Sequence, residues 1–543
     1  MSSSLAPALL ESLTRLLPPP GGRALPAELS AVVTALAEAL ERGDLGLDLR
    51  AEPPPEGSLE ALRSCGWLVR AAELEQHPEA PIVLDGSWLR WRRWHEQLQG
   101  CLEQLVQLGL TPTEPAPSAA QLSAAQRRAE AAGLDGQQCE AVRALLERRL
   151  VLLTGGPGTG KTSTVVQMLA AVLRHNPQLR IQLSAPTGKA SARLGEAVQA
   201  GSRSLEAPLA EQLQTLPSGT LHRLLEAQGD NRFRRNRRHP LDLDLLVVDE
   251  LSMVDLPLMA ALLEALPAHG QLLLVGDQHQ LPPVGPGAVL EELCRPERLR
   301  NLDKASVELR TTYRNDGAIA ALAGQLRQGA RSLEKAWLNE LPADANVTWL
   351  ESPRQRLPAA LLERLRQQQE QLQALAGDLT WDGDAPNPQQ AHALLGQLEA
   401  LIALSPIRQG AWGVEAIHRA LLGDLIRRPL QAWPLGTPVL NRQNRPEQGL
   451  ANGDIGVVVH NGTEPRVLLP LDRVLHPAQL SGAEPAFALT VHKSQGSQYR
   501  SVLLLLPPLR HQDPRLLYTG LTRAQQEVLL ITPADDSQTP DPT

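Results

Sequence analysis

Aromatic residues are scarce in this chain of 543 residues: two phenylalanines, three tyrosines and nine tryptophans account for 3% of it. With so few large rings the cores must be built from aliphatic side chains. The balance of 42% hydrophobic against 21% charged residues is that of a water-soluble globular protein. Cysteine occurs four times, at Cys65, Cys101, Cys139 and Cys294, and never as C-x-x-C. That scatter argues against a zinc ribbon, an iron–sulfur cluster or a disulfide framework, and suits a reducing cytoplasm, the expected location. Apolar runs such as 502–508 fall far short of the roughly 20 residues that cross a bilayer, so no membrane role is expected. No charged segment precedes an apolar one at the N-terminus, so no secretory leader is expected either. Net charge is −8, so any contact with nucleic acid must come from a local groove, not from the overall field.

Lysine is the most telling shortage. Of 52 basic residues only Lys161, Lys189, Lys304, Lys335 and Lys493 are lysine. A composition that has drifted to arginine keeps lysine where a compact point charge is needed. Lys161 lies in Gly155-Gly156-Pro157-Gly158-Thr159-Gly160-Lys161-Thr162, which satisfies G-x-x-x-x-G-K-[ST] between an apolar run and a helical pattern. Glycines let backbone N–H groups curl around phosphates, and the helix that follows turns the positive end of its dipole toward them. Lys161 then reaches the outer phosphates and the Thr162 hydroxyl is placed to hold Mg²⁺. The chain binds a nucleoside triphosphate.

Length predicts three or four domains. Residues 1–112 read as a helical N-terminal domain, expected to bind a partner, in which Trp88, Trp91 and Trp94 recur at helix spacing, as core or partner-facing packing in preference to a base-stacking platform. Thr111–Ala119 is a Pro/Ser-rich boundary. An α/β pattern fills 113–300, and a second α/β region fills 301–543. Inside the second, short β-type runs with Asn-Gly turns predict a small β-barrel inserted at about 428–487. Gln138 either reads an adenine edge or is an ordinary surface glutamine. The arginines of 232–238 either touch phosphates or form a solvated loop.

Leu243–Val248 reads as a buried strand ending at Asp249-Glu250. There Asp249 can complete a Mg²⁺ shell and Glu250 can polarise an attacking water. Another apolar strand runs into Gly276-Asp277-Gln278-His279-Gln280, whose Gln280 can sense a γ-phosphate through both donor and acceptor. A metal role for His279 is not expected, since no partner ligand lies at helix or loop spacing. Arg314 is a candidate arginine finger, and Tyr313 beside it can stack on the base.

In order, GGPGTGKT, APTGKA, TLHRLL, VVDELSM, GDQHQL, TTYRN, TVHKSQGSQY and YTGLTRA resemble the motif set of superfamily 1 helicases, over residues from about 130 to 530. TVHKSQG and NGDIG (Asn452–Gly456) narrow the likeness to the RecD-like branch. Ser405–Arg419, Asp255–Pro267 and Pro81–Gln97 resemble its RecD family, the alpha subunits of exodeoxyribonuclease V. The resemblance implies an α/β fold of two tandem RecA-like P-loop domains, with an inserted SH3-like β-barrel and ATP with Mg²⁺ in the cleft. It implies that Lys161, Asp249, Glu250 and Gln280 face Arg314 and Arg523 there. Gln138, Gly155 to Gly160, Thr162, Ser163, Tyr313 and Gly496 would surround the nucleotide, with Thr162 and Asp249 on the metal. Pro186, Thr187, His222, Thr490, His492 and Ser494 would line a single DNA strand across the two domains. Gln498 stands where relatives carry glutamate. The implied activity is ATP-dependent 5′-to-3′ DNA unwinding in break repair and recombination, within a heterotrimer with RecB-like beta and RecC-like gamma subunits. The nuclease of such a complex would sit on another subunit, and a stand-alone RecD-like helicase is the alternative.

Overall fold

Aliphatic runs bounded by turn residues become strands buried on both faces, and such strands form parallel sheets covered by helices. In a computed structural model, which describes residues 5–18, 27–229, 232–313, 317–330, 346–443, 450–470, 473–507 and 513–534, two such sheets carry the chain. The first has six strands in the order Ser306–Leu309, Leu150–Gly155, Gln271–Gly276, Leu245–Val248, Ile181–Ala185 and Ser218–Thr220. All its pairings are parallel. Helices Gly136–Glu147, Lys161–His175 and Gly188–Ser202 cover one face, and Arg92–Leu110 and Leu256–Ala265 cover the other. Ser306–Leu309, beyond residue 300, pairs beside the P-loop strand, with Val307 opposite Leu153.

The second sheet has five parallel strands, in the order Val347–Ser352, Ala524–Pro533, Tyr499–Leu505, Leu401–Ser405 and Ala488–Thr490. Helices Ala318–Arg327 and Pro514–Leu521 lie on one side, Ala359–Gly377 and Val414–Leu422 on the other. From this domain an antiparallel five-stranded sheet emerges, in the order Arg473–Leu475, Glu464–Leu469, Ile455–Asn461, Pro438–Leu440 and Glu484–Pro485. Its side chains alternate as the pleat requires. Val458, Val467 and Leu469 enclose a core with Trp433 and Leu480, while Val457, Val459 and Leu468 pack on helices Ala359–Gly377 and Pro388–Leu398.

The expected helical N-terminal domain is mixed α/β. Helices Leu5–Leu16, Ala27–Glu41 and Ser58–Ser64 accompany a four-stranded sheet in the order Gly46–Asp48, Trp88–Trp91, Ile82–Asp85 and Leu68–Arg70. Trp88 and Trp91 therefore lie on a strand, and only Trp94 is helical, within Arg92–Leu110. The cause is the Asp85-Gly86 turn: Gly86 adopts φ 59°, and Asp-Gly between apolar runs favours a tight hairpin over a continuous helix. Strand period two then places Arg90 on the face of Trp88, its guanidinium 4.9 Å from the ring centre.

This domain is also less separate than the linker at 111–119 suggests. Leu98, Cys101, Leu102 and Leu105 of its last helix share a core with Leu150, Leu152 and Leu246 of the first sheet. Arg90, 1% exposed, crosses the same junction to donate to Glu292 at 2.9 Å, with Asp85 at 3.4 Å. Removing one partner of a buried ion pair leaves the other charge uncompensated. Glu292→Ala is therefore expected to destabilise the chain by about 3 kcal/mol, seen as a lowered midpoint in urea unfolding.

Candidate active site

The P-loop follows the buried strand Leu150–Gly155 and opens helix Lys161–His175. Gly158 and Gly160 take φ values of 77° and 78°, open to glycine at little cost. A Cβ on Gly160 would lie 2.6 Å from the Gln138 amide. Thr159 donates to the Gly156 carbonyl at 2.9 Å, and Lys161 Nζ spans the loop to the carbonyls of Gly155 (2.7 Å) and Gly156 (2.9 Å). Pro157, Gly158, Gly160, Lys161, Thr162 and Ser163 line a cleft of about 230 Å³ with Asp249, Glu250, Asp277, Gln280, Tyr313, Gln498 and Arg523.

Asp249 and Glu250 follow the strand Leu245–Val248. Burial and the neighbouring Glu250 carboxylate push Asp249 up to about 6, while Lys161 opposes them. Glu250 sits in the left-handed region at φ 52°, ψ 47°, a conformation that costs a side-chain-bearing residue roughly 1 kcal/mol and that clusters at functional sites. Its N–H donates to Asp249 Oδ1 at 2.8 Å, which holds the Asp249 carboxylate against the Glu250 backbone. Gln280 is 7% exposed; its Nε2 donates to Asp277 Oδ2 at 3.4 Å, and its Oε1 has no hydrogen-bond partner among the described residues.

Arg523 enters from the second domain. It is 2% exposed and donates to the carbonyls of Thr519 and Ser497, each at 3.1 Å. The domains are pinned at this place. Leu281 N–H donates to Thr519 Oγ1 at 2.8 Å, Gln495 donates to the Leu281 carbonyl at 2.9 Å, and Lys189 lies 3.2 Å from Glu399. Arg314 lies outside the described residues. Tyr313 is half-exposed at the mouth of the cleft, its N–H on the Gly158 carbonyl and its hydroxyl on Asp135, each at 2.8 Å.

Two residues expected around the nucleotide make other contacts in this structure. Gln138 is buried, not a surface residue: its Oε1 accepts from Asp135 N–H in a capping box and its Nε2 donates to the Thr159 carbonyl, so at most one amide proton is left for a base. Gly496, at φ 71°, abuts Thr187 and Ala190, each 3.2 Å from where its Cβ would be; Gln498 lines the cleft instead.

The residues expected along DNA follow strand ends of both sheets. Thr187 caps helix Gly188–Ser202, His222 is exposed on helix Leu221–Leu224 near Phe233, and Thr490 ends a strand beside exposed His492. Pro186 is partly buried just before Thr187. Gly188 meets Ala451 of the insert, so both domains and the insert converge there. Ser494 does not fit: it is fully buried, and its hydroxyl donates to the Val491 carbonyl at 2.7 Å because Val491–Gln495 folds into a tight turn.

Residues 138–286 match the AAA domain family, and 485–531 match the UvrD-like helicase C-terminal domain. The chain is 35% identical over 536 residues to the RecBCD enzyme subunit RecD of Mycolicibacterium smegmatis, across 93% of this chain and 89% of that one. The chain belongs to the RecD family. The RecBCD enzyme subunit RecD of Mycobacterium tuberculosis is likewise 35% identical, over 88% of this chain and 81% of its own length. The ATP-dependent RecD2 DNA helicase of Deinococcus radiodurans is 31% identical over 77% of this chain and 51% of its own length.

In this RecD-family chain sequence reasoning passed over Asp277 and Tyr518 as site residues. Both lie inside quoted motifs, but only the fold brings Tyr518 Oη to within 2.8 Å of Asp277 Oδ2. Glu399, which meets Lys189 and Arg193, lies in no motif and gave no signal.

The raised Asp249 has a measurable consequence. Its folded value, about 6, exceeds the ordinary carboxylate value, so its contribution to stability is present at low pH and is lost as pH rises through 6. Asp249→Asn is expected to stabilise the nucleotide-free protein at pH 8 by about 1–2 kcal/mol, seen as a raised melting temperature, with the advantage fading toward pH 4. Calorimetry across that range checks the sign.

Proposed function

We propose that this chain is the ATP-dependent 5′-to-3′ DNA helicase and translocase subunit of a RecBCD-type complex, acting in double-strand-break repair and homologous recombination in the cytoplasm. The observation that carries the reading is Arg523, a buried cation from the second domain that lines the same cleft as Lys161, Asp249, Glu250 and Gln280 from the first. A triphosphate between them is gripped by both domains, and its cleavage removes the grip.

Bound phosphates draw Lys161 away from the carbonyls it now spans, and the N-terminus of helix Lys161–His175 faces them with its dipole. Thr162, exposed in the cleft, and Asp249, a half-buried carboxylate lacking an ion-pair partner among the described residues, offer hard oxygen ligands suited to Mg²⁺. Mg²⁺ held there would neutralise charge on the phosphoryl oxygens. Glu250 polarises the attacking water, and the Gln280 Oε1, unpartnered among the described residues, accepts a hydrogen bond from it to hold it in line. Arg523, with Arg314, stabilises the charge that develops on the transferred group.

Pro186 and Thr187 with His222 on one domain, and Thr490 and His492 on the other, touch the strand through its phosphates, a sequence-independent and salt-sensitive mode. Alternate grip by the two RecA-like domains advances the protein by steps. The insert acts as an SH3-like module beside the strand, and residues 1–112 with their sheet dock the RecB-like and RecC-like subunits. Nuclease chemistry belongs to another subunit. A stand-alone helicase is the second reading, favoured by the likeness to the Deinococcus radiodurans protein; co-purification from native cells separates the two.

Lys161→Ala is expected to lower DNA-stimulated ATP hydrolysis by at least about 100-fold without shifting the melting temperature. With the assembled complex, or the chain alone if it travels alone, duplexes carrying a 5′ tail should be unwound and those with only a 3′ tail left intact. Preference for the 3′ tail overturns the polarity, and absence of ATPase in the parent chain under both conditions overturns the motor.

A further inference from the structure

The turn 277–281 is built from residues of the first domain, yet both its ends are held by one helix of the second. Tyr518 Oη donates to Asp277 Oδ2 at 2.8 Å at one end, and Thr519 Oγ1 accepts from Leu281 N–H at 2.8 Å at the other. Tyr518, Thr519 and Asp277 are 1%, 0% and 2% exposed. Between the two anchors sits Gln280, whose Nε2 leans on the same Asp277 Oδ2 that Tyr518 holds, and whose Oε1 is buried without a partner among the described residues. The other oxygen of Asp277 accepts from His279 N–H at 3.1 Å, so the carboxylate cannot turn without breaking contacts on both sides. The Tyr518 hydroxyl also touches the P-loop: a Cβ on Gly156 would lie 3.1 Å from it.

We infer that Tyr518 is the positioning residue through which the second domain sets Gln280: its hydroxyl fixes Asp277, Asp277 fixes the Gln280 amide, and Gln280 alone meets the phosphate or the attacking water. The inference rests on the ATPase reading above and adds a route by which movement of helix Pro514–Leu521 is felt at the reacting end of the nucleotide. Burial and Asp277 hold the Tyr518 hydroxyl far above its ordinary range, so it remains a donor at every working pH.

A double-mutant cycle tests it. Tyr518→Phe keeps the ring and removes only the donor; it is expected to lower kcat for DNA-stimulated ATP hydrolysis about tenfold, with KM for ATP within about twofold of the parent and the melting temperature unchanged. Gln280→Ala should lose at least as much, and the double variant should be no slower than Gln280→Ala, because the tyrosine acts only through the glutamine. Should Tyr518→Phe fail to fold, Asp277→Asn replaces it in the same cycle. Losses that multiply, or a Tyr518→Phe enzyme with the parent kcat, overturn the inference while leaving the motor reading intact. An inactive parent chain overturns the motor reading itself.

Discussion

The structure turns on one buried positive charge. Arg523 is held by carbonyls of its own domain, and among the described residues no carboxylate lies within ion-pair distance of it. Burial pulls its pKa down, with Glu250 the largest opposing influence, yet a guanidinium stays protonated under all ordinary conditions. A charge so placed is costly until an anion arrives, since transfer from water is not repaid by carbonyl dipoles alone. Lys161 faces the same space. The cleft is thus disposed toward a polyanion.

The backbone supports that arrangement where it is least comfortable. Glu250 keeps a left-handed conformation without being glycine, and the following turn, Leu251–Met253, is tight and buried at its start. Such strain persists only where the surroundings over-determine it. Here the strand Leu245–Val248 fixes one side and the hydrogen bond from Glu250 N–H to Asp249 fixes the other. Two carboxylates that would repel each other into solvent are held in the cleft, at the expense of the pKa shift on Asp249.

Much of the site was legible in the sequence because its chemistry is local. A P-loop needs glycine at fixed places, and a carboxylate at the end of a buried strand needs the strand before it. The parallel domains were legible for the same reason, since strands buried on both faces show as aliphatic runs. What escaped depends on contacts distant in sequence. Ser306–Leu309 is too short to declare which sheet it joins until Leu153 lies beside it. The spacing of Trp88, Trp91 and Trp94 fits a helix as well as a strand running into one, and the Asp85-Gly86 turn decides. Ser494 reads as a strand-binding hydroxyl in its motif, but the turn from Val491 consumes it locally. Tyr518 and Asp277 are 241 residues apart, and no pattern along the chain pairs them.

The insert shows how little the word module explains. One face of its sheet closes on its own small core, but Val457, Val459 and Leu468 complete a second core with Leu372, Ala376, Leu394 and Leu398 of the two flanking helices. Those helices precede it by tens of residues and belong to the scaffold around the second sheet. Swapping the insert between relatives as a cassette would strip that helix pair of its cover and set aliphatic side chains against water. A working chimera has to exchange the helices and the sheet together, so the unit of inheritance here is a layer and not a loop.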